Sequence, residues 1–399
     1  MKIGVIFHGN PIAGGCYQQS LNATRLLSKD KESNTYIYYT PDANNANNAR
    51  KDGIIVKKFR FGRKQRLIHK LRKFSLLHRF FGKFAFFEAF DIAFEKDDVD
   101  LLYFTGPSPI CLFLERLNYV YTVWDLCHRD HPEFPEVRHN FEFEAREDLM
   151  HISLSRAVSV IAESPLGRKN LIKRYGLDKE RVHWISISPA KRQIGTQGSD
   201  FDPRDEAGIP PNAPYVFYPA QFWAHKNHRL IVDSLAILSS SEEKVYAIFC
   251  GSDCGNLQQV MKMARVQGVL SLIKYVGFVP DEKMPAYYMN SLALVMPSYF
   301  GPSNMPPLEA FELETPVIVS DLPGIRDQVG EAALLVAPDK AESLANAIKR
   351  LLNEPDLRNY LVKKGIDRLS QFSDEDRIST LRQIFNNFKL KRLTWSIDD

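Results

Sequence analysis

The chain has 399 residues, more than one hydrophobic core ordinarily organises, so two or three domains are expected. Its 44% hydrophobic and 25% charged residues exclude an extended disordered polymer, and no apolar run approaches the ~20 residues that span a bilayer. The net charge is only +4, yet eleven Lys and Arg residues fall between Lys57 and Lys83 with no Asp or Glu among them, so the remainder of the chain is net acidic.

The opening MKIGVIFHG is too short for a leader with a cleavage site and reads as a first strand entering a turn. Strands are then predicted at Lys2–His8, Thr35–Thr40, Gly53–Phe59, Asp100–Thr105, Tyr119–Leu126, Val158–Glu163 and Val182–Ser188. The clearest helices between them are Cys16–Ser28, Phe141–Leu154 and Pro165–Tyr175. Continuous apolar strands separated by helices indicate a parallel sheet covered on both faces. This first doubly wound domain is placed at residues 1–192.

From Ile187 to Tyr215 the hydrophobic period lapses into a Gly-, Pro- and Asp-rich stretch, and a linker is placed at 193–213. The rhythm resumes with strands at Tyr215–Pro219, Val245–Gly251, Leu272–Val279, Leu292–Pro297, Pro316–Asp321 and Ala333–Ala337. Helices at His228–Ser239, Asn256–Gln267, Lys283–Asn290, Met305–Glu314 and Ala341–Leu352 alternate with them. The second domain is placed at 214–373. A further helix at 374–392 exceeds what that sheet needs and is expected to return to the first domain. The expected fold class is therefore α/β, two doubly wound Rossmann-like domains whose strand carboxyl ends face each other across a ligand-binding cleft.

The five cysteines, Cys16, Cys111, Cys127, Cys250 and Cys254, are odd in number and scattered, and none forms a zinc-ligand set. They are expected to be free thiols in a reducing, cytoplasmic setting. Gly14 and Gly15 stand where the first strand turns into a helix, a geometry that serves either a plain turn or backbone contact with an anion. The dinucleotide fingerprint G-x-G-x-x-G is absent. Lys226 lies in the turn YPAQFWAHKNH that opens the second domain, as a solvated lysine or as a cation for a diphosphate. Asp125, His128, Asp130 and His131 follow an apolar strand in WDLCHRDH and suit hydrogen bonding to a polar substrate better than a metal, because no metal-ligand spacing accompanies them. Glu309 is the first carboxylate of the Met305 helix in YFGPSNMPPLEAFELETPVIVSD, residues Tyr299–Asp321. It suits either bidentate binding of sugar hydroxyls or simple helix-dipole stabilisation.

In this order, TVWDL, AESPLGRKNLIKRYG, PAQFWAHKNH and the whole of Tyr275–Pro338 resemble glycosyltransferase family 4, the retaining nucleotide-sugar enzymes with the GT-B fold. The resemblance covers nearly the whole chain. It implies that Glu309 binds the donor ribose, that Lys226, with Gln221 nearby, grips the diphosphate, and that Gly277, Phe278 and Val279 border the base. The amides of Ser303, Asn304 and Met305 would touch the donor sugar or its phosphate, and Gly14 and Gly15 would lie under the donor. Asp125 and Ser164 would line the first domain's side. The chain departs from the family pattern at three positions. Gly301 stands where the family often has a first Glu, Trp124 stands where a His commonly precedes the Asp, leaving His128 as a substitute, and Gln221 stands where a basic residue is frequent.

The resemblance implies transfer of a hexose, mannose among the candidates, from a nucleoside diphosphate sugar to a growing glycan or lipid-linked acceptor. Surface polysaccharide or lipopolysaccharide assembly is the implied setting, with no cofactor and no metal. The rivals are a nucleotide-sugar epimerase on the same architecture and a non-catalytic sugar-binding scaffold. Leu67, Leu71, Phe74 and Phe81 fall on one side of a helical projection of the Lys57–Lys83 segment. This segment is expected either to dock on an anionic membrane surface or to pack as a solvated helix, and no nucleic-acid motif accompanies its charge.

Overall fold

The computed structural model describes residues 1–7, 14–30, 34–59, 88–190, 201–241 and 243–395. They form two compact units, one of Met1–Arg129, Asn140–Ile187 and Ser373–Asp399, the other of Asp130–His139 and Ser188–Phe372. Residues 60–83 of the basic segment and 193–200 of the expected linker lie outside the described residues.

The first unit is built on β1 (Lys2–Ile6), β2 (Thr35–Thr40), β3 (Val56–Lys58), β4 (Leu101–Phe104), β5 (Tyr119–Val123), β6 (Ser159–Ala162) and β7 (Val182–Trp184). These pair in parallel in the order β3-β2-β1-β4-β5-β6-β7. Period-2 alternation splits the inner strands between two cores. On β4, Leu102 and Phe104 join the cluster of Tyr119, Tyr121 and Leu154, while Leu101 and Tyr103 join that of Ile3, Val5 and Leu27. Both faces are thus covered, as continuous apolar strands require.

The second core face is completed by the last helix, Asp374–Arg392. Ile378, Leu381, Ile384, Phe385 and Phe388 recur at helical spacing and are buried there. Ser373 and Asp376 close a capping box at its start, and Arg377 donates to the carbonyl oxygens of Ser186 at 2.9 Å and Ile187 at 3.1 Å.

The second unit has β8 (Tyr215–Pro219), β9 (Tyr246–Cys250), β10 (Ile273–Tyr275), β11 (Ala293–Met296), β12 (Val317–Ser320) and β13 (Ala333–Val336). All pair in parallel in the order β10-β9-β8-β11-β12-β13. In each sheet the order reverses once, between β1 and β4 and between β8 and β11. Loops leaving the carboxyl ends of those neighbouring strands run to opposite faces and open a crevice, the usual ligand position in such sheets.

Every predicted strand is present, most of them shorter than expected because apolar burial outlasts the hydrogen-bonded ladder. Leu126 is 4% exposed, yet β5 ends at Val123. The helix Ala43–Lys51, sequence ANNANNARK, escapes a hydrophobic-period reading because its buried residues include the polar Asn45 beside the small Ala46 and Ala49.

Candidate functional site

The crevice of the second unit is bounded on one side by the loop after β8. Phe222 is fully buried and stacks on His228 at 4.1 Å between ring centroids. Ala224–Lys226 then make one 3-10 turn, and Asn227 follows with φ 54°, a left-handed conformation that Asn tolerates. The Asn227 amide donates to the carbonyl oxygens of Pro297 at 3.0 Å and Pro338 at 2.8 Å, fastening this turn to the ends of β11 and β13. The Tyr218 hydroxyl donates to the Lys226 carbonyl at 2.9 Å. Lys226 is therefore held just before the helix His228–Ser240, whose N-terminal dipole adds to its charge. Gln221 accepts from the Trp223 indole N–H at 2.9 Å.

The loop after β11 bounds the other side. Gly301 has φ 119°, and a Cβ there would meet the Asn304 side-chain amide at 2.9 and 3.0 Å. Asn304 in turn donates from Nδ2 to the Gly301 carbonyl at 2.9 Å. Gln328 grips the Asn304 backbone at both groups, accepting its N–H at 2.9 Å and donating to its carbonyl at 2.7 Å. The Asn304 amide is thus engaged within the protein. The helix Met305–Glu312 begins with Pro306 and Pro307, which carry no N–H, so this N-terminus offers fewer backbone donors than its sequence position suggests. Glu309, 4% exposed, accepts from the Tyr288 hydroxyl at 2.6 Å.

Gly277 has φ 71° with open space where a Cβ would stand, and beside it Phe278 is 70% exposed, a flat apolar surface after β10. Val279 is only 5% exposed and belongs to the core. Sequence reasoning overlooked Gly251. It has φ 130°, a Cβ on it would come within 2.6 Å of the Ala220 carbonyl, and its N–H donates to the Gly277 carbonyl at 2.9 Å. A glycine closing a predicted strand was the available signal.

The excursion Asp130–His139 also belongs to this unit. Glu136 accepts the backbone N–H of His225 at 2.9 Å and pairs with His225 Nδ1 through the same oxygen. Burial pushes the Glu136 carboxyl up, but the hydrogen bonds from the His225 ring and backbone outweigh it and hold it below the usual carboxylate range. Phe134 packs edge-on against Phe300.

In the first unit Gly14 adopts φ 68° and ψ −123°, a conformation open to glycine alone, at the start of Gly15–Ser28 with nothing within reach of a Cβ on either glycine. Asp125 accepts the Cys127 N–H at 2.9 Å, and Ser164 caps the helix Pro165–Tyr175 through the Gly167 N–H at 3.0 Å. His128 is 1% exposed, with Nε2 2.6 Å from Glu147 Oε1. Glu147 also receives Arg129 at 2.7 Å and Tyr175 at 2.8 Å. Burial pushes the Glu147 carboxyl up, but hydrogen bonds from Arg129, Tyr175 and His128 bring it down to about 2. Burial also lowers the His128 pKa. His128 thus sits in a buried ionic network, away from solvent. Among the described residues no three His, Cys, Asp or Glu side chains gather as a metal site, and no helix is long and apolar enough to cross a membrane.

Lys226 with Gln221, Gly277 with Phe278, and Asn304 thus lie in the segments that leave the carboxyl ends of β8, β10 and β11, with Glu309 on the helix after β11, on both sides of the point where the strand order reverses. Two doubly wound Rossmann-like domains with this arrangement define a GT-B type of chain. Residues 200–368, most of the second unit, match the family described as glycosyl transferases group 1. The chain is 24% identical over 256 residues to O-antigen chain mannosyltransferase B of Escherichia coli, covering 61% of this chain and 64% of that protein. It is 28% identical over 229 residues to O-antigen chain mannosyltransferase RfbU of Salmonella typhimurium, covering 56% and 60%. Among solved structures, Anabaena Alr3699/HepE in complex with UDP and glucose aligns over 97% of this chain and 100% of that one, with TM-score 0.70 and 18% identity. The sucrose-phosphate synthase of Thermosynechococcus elongatus aligns over 98% and 99%, with TM-score 0.71 and 20% identity. These structural likenesses establish the fold.

Proposed function

We propose that this chain is a retaining glycosyltransferase that moves a hexose from a nucleoside diphosphate sugar to a growing glycan or lipid-linked acceptor in surface polysaccharide assembly. The observation that carries the proposal is the placement, on either side of the point where the strand order reverses, of a lysine just before one helix and a buried carboxylate inside the helix that follows β11. The lysine and helix dipole suit a diphosphate, and a carboxylate that accepts two hydroxyls suits a ribose. Relatives named as O-antigen mannosyltransferases favour mannose and an O-antigen-like acceptor, and a structural neighbour holding UDP favours a nucleotide donor.

In the proposed reaction the bond between the sugar's anomeric carbon and the diphosphate breaks, and the acceptor oxygen bonds to that carbon on the same face. The acceptor proton passes to the departing phosphate oxygen. Lys226 and the helix N-terminus stabilise the charge that develops on the diphosphate, while Glu309 fixes the ribose and so the position of the anomeric carbon. No resident metal is assigned to these steps. The protein is taken to work in the cytoplasm, with membrane contact assigned to the Lys57–Lys83 segment.

A thermal-shift screen across UDP, GDP, ADP and CMP sugars tests the donor assignment, since a ligand that binds only the folded state raises the melting temperature. One nucleotide series is expected to stabilise the protein. A flat response to all of them refutes the proposal.

A further inference from the structure

We propose that Glu136, carried on the Asp130–His139 excursion, is a positioning residue for the donor site, holding the Ala224–Lys226 turn so that Lys226 meets the diphosphate. This inference rests on the donor reading given above.

A single Glu136 oxygen receives both N–H groups of His225, the backbone amide at 2.9 Å and the ring Nδ1. The backbone bond fixes the turn one residue before Lys226. The ring bond fixes the imidazole orientation, placing the proton on Nδ1. That ring stacks on Phe300 at 3.9 Å with only 11° between planes, and the His225 carbonyl accepts the Tyr299 N–H at 2.9 Å. His225 therefore ties the loop after β8 to the loop after β11, the two walls of the crevice, and Glu136 sets where His225 sits. The side chains of Glu136 and His225 are 10% and 11% exposed, so water competes little for these bonds. The lowered carboxyl pKa agrees with a charged acceptor that is fully engaged. Nothing in the local sequence HPEFPEV announces this role, because its partner lies 89 residues further along the chain.

The test is a thermodynamic cycle on the full chain. Binding of UDP, GDP and ADP is measured by calorimetry, and binding of the corresponding nucleosides by ligand-observed NMR, for wild type, Glu136→Ala, Glu136→Gln, Lys226→Ala and the Glu136→Ala/Lys226→Ala double variant. Glu136→Ala is expected to weaken the recognised diphosphate about tenfold while leaving its nucleoside unchanged. Glu136→Gln, whose amide oxygen still accepts both N–H groups, should stay within about threefold of wild type. The double variant should bind no more weakly than Lys226→Ala alone, because Glu136 acts through Lys226. Equal weakening of diphosphate and nucleoside, accompanied by a lower melting temperature, identifies a general structural role and overturns the proposal. Strictly additive losses, or unchanged binding in Glu136→Ala, overturn it as well. If wild type binds none of the diphosphates, this inference and the donor reading fail together. If wild type binds and Glu136→Ala binds equally well, only this inference fails.

Discussion

The Tyr288 hydroxyl donates to Glu309 Oε2 at 2.6 Å across a buried contact, so the carboxylate is oriented before any ligand arrives. In the proposed donor site such preorganisation would lower the cost of fixing a ribose. Tyr288→Phe should weaken nucleotide binding by the worth of one hydrogen bond to a charged group, ~1.5–3 kcal/mol at most, with little change for Glu309→Gln when the two substitutions are combined. Titration calorimetry on the single and double variants checks this, and independent losses would show that Tyr288 does not act through Glu309.

Gly301 answers a question left by the sequence. With its φ of 119° and the 2.9 Å approach of the Asn304 amide, any side chain there must take a backbone conformation L residues rarely adopt and displace the Asn304 side chain. Gly301→Glu is therefore expected to cost ~1–3 kcal/mol of stability and to lower transfer. A stable, faster variant would mean that this loop accepts an added carboxylate. Differential scanning calorimetry with a coupled diphosphate-release assay separates the two.

His228 is fully buried, and burial together with the charge of Lys226 pushes its pKa down to about 3. The unfolded chain takes up this proton near pH ~6.5, so the native state loses stability as pH falls from there toward the native pKa. The melting temperature should drop across that window, and His228→Phe, which preserves the stacking on Phe222, should flatten the drop. Thermal melts between pH 7 and 4 decide it, with parallel curves for the two proteins counting against the assignment.

The last helix contributes directly to the first unit's core. Phe385 is fully buried, with its ring 6.0 Å from that of Tyr103. Phe385→Ala should destabilise that unit by ~3–5 kcal/mol, seen as an earlier urea transition. An unchanged transition would mean that the helix is dispensable to the core.

Much of the fold was legible because buried parallel strands carry unbroken apolar runs, as in Tyr119–Val123 and Ala293–Met296, each with every residue buried. The positions of Lys226, in a turn, and Glu309, on a helix, were legible for the same reason, since both segments follow strands whose ends the sequence marks. Glu136 was not, because its partner His225 is distant in sequence and the excursion carrying it interrupts the first unit. The Gln328 grip on Asn304 was equally hidden. The burial of His128 beside Glu147 was hidden too, because a position directly after a strand does not reveal a partner 19 residues further along the chain.

The central claim is that the β8–β11 crevice binds a nucleoside diphosphate sugar, and the most direct measurement is the dissociation constant of the stabilising nucleotide sugar for wild type, Lys226→Ala and Glu309→Gln. Each substitution is predicted to weaken binding about tenfold or more, the worth of one charge-assisted hydrogen bond, with the fold intact by circular dichroism. Unchanged dissociation constants in both variants would contradict the account.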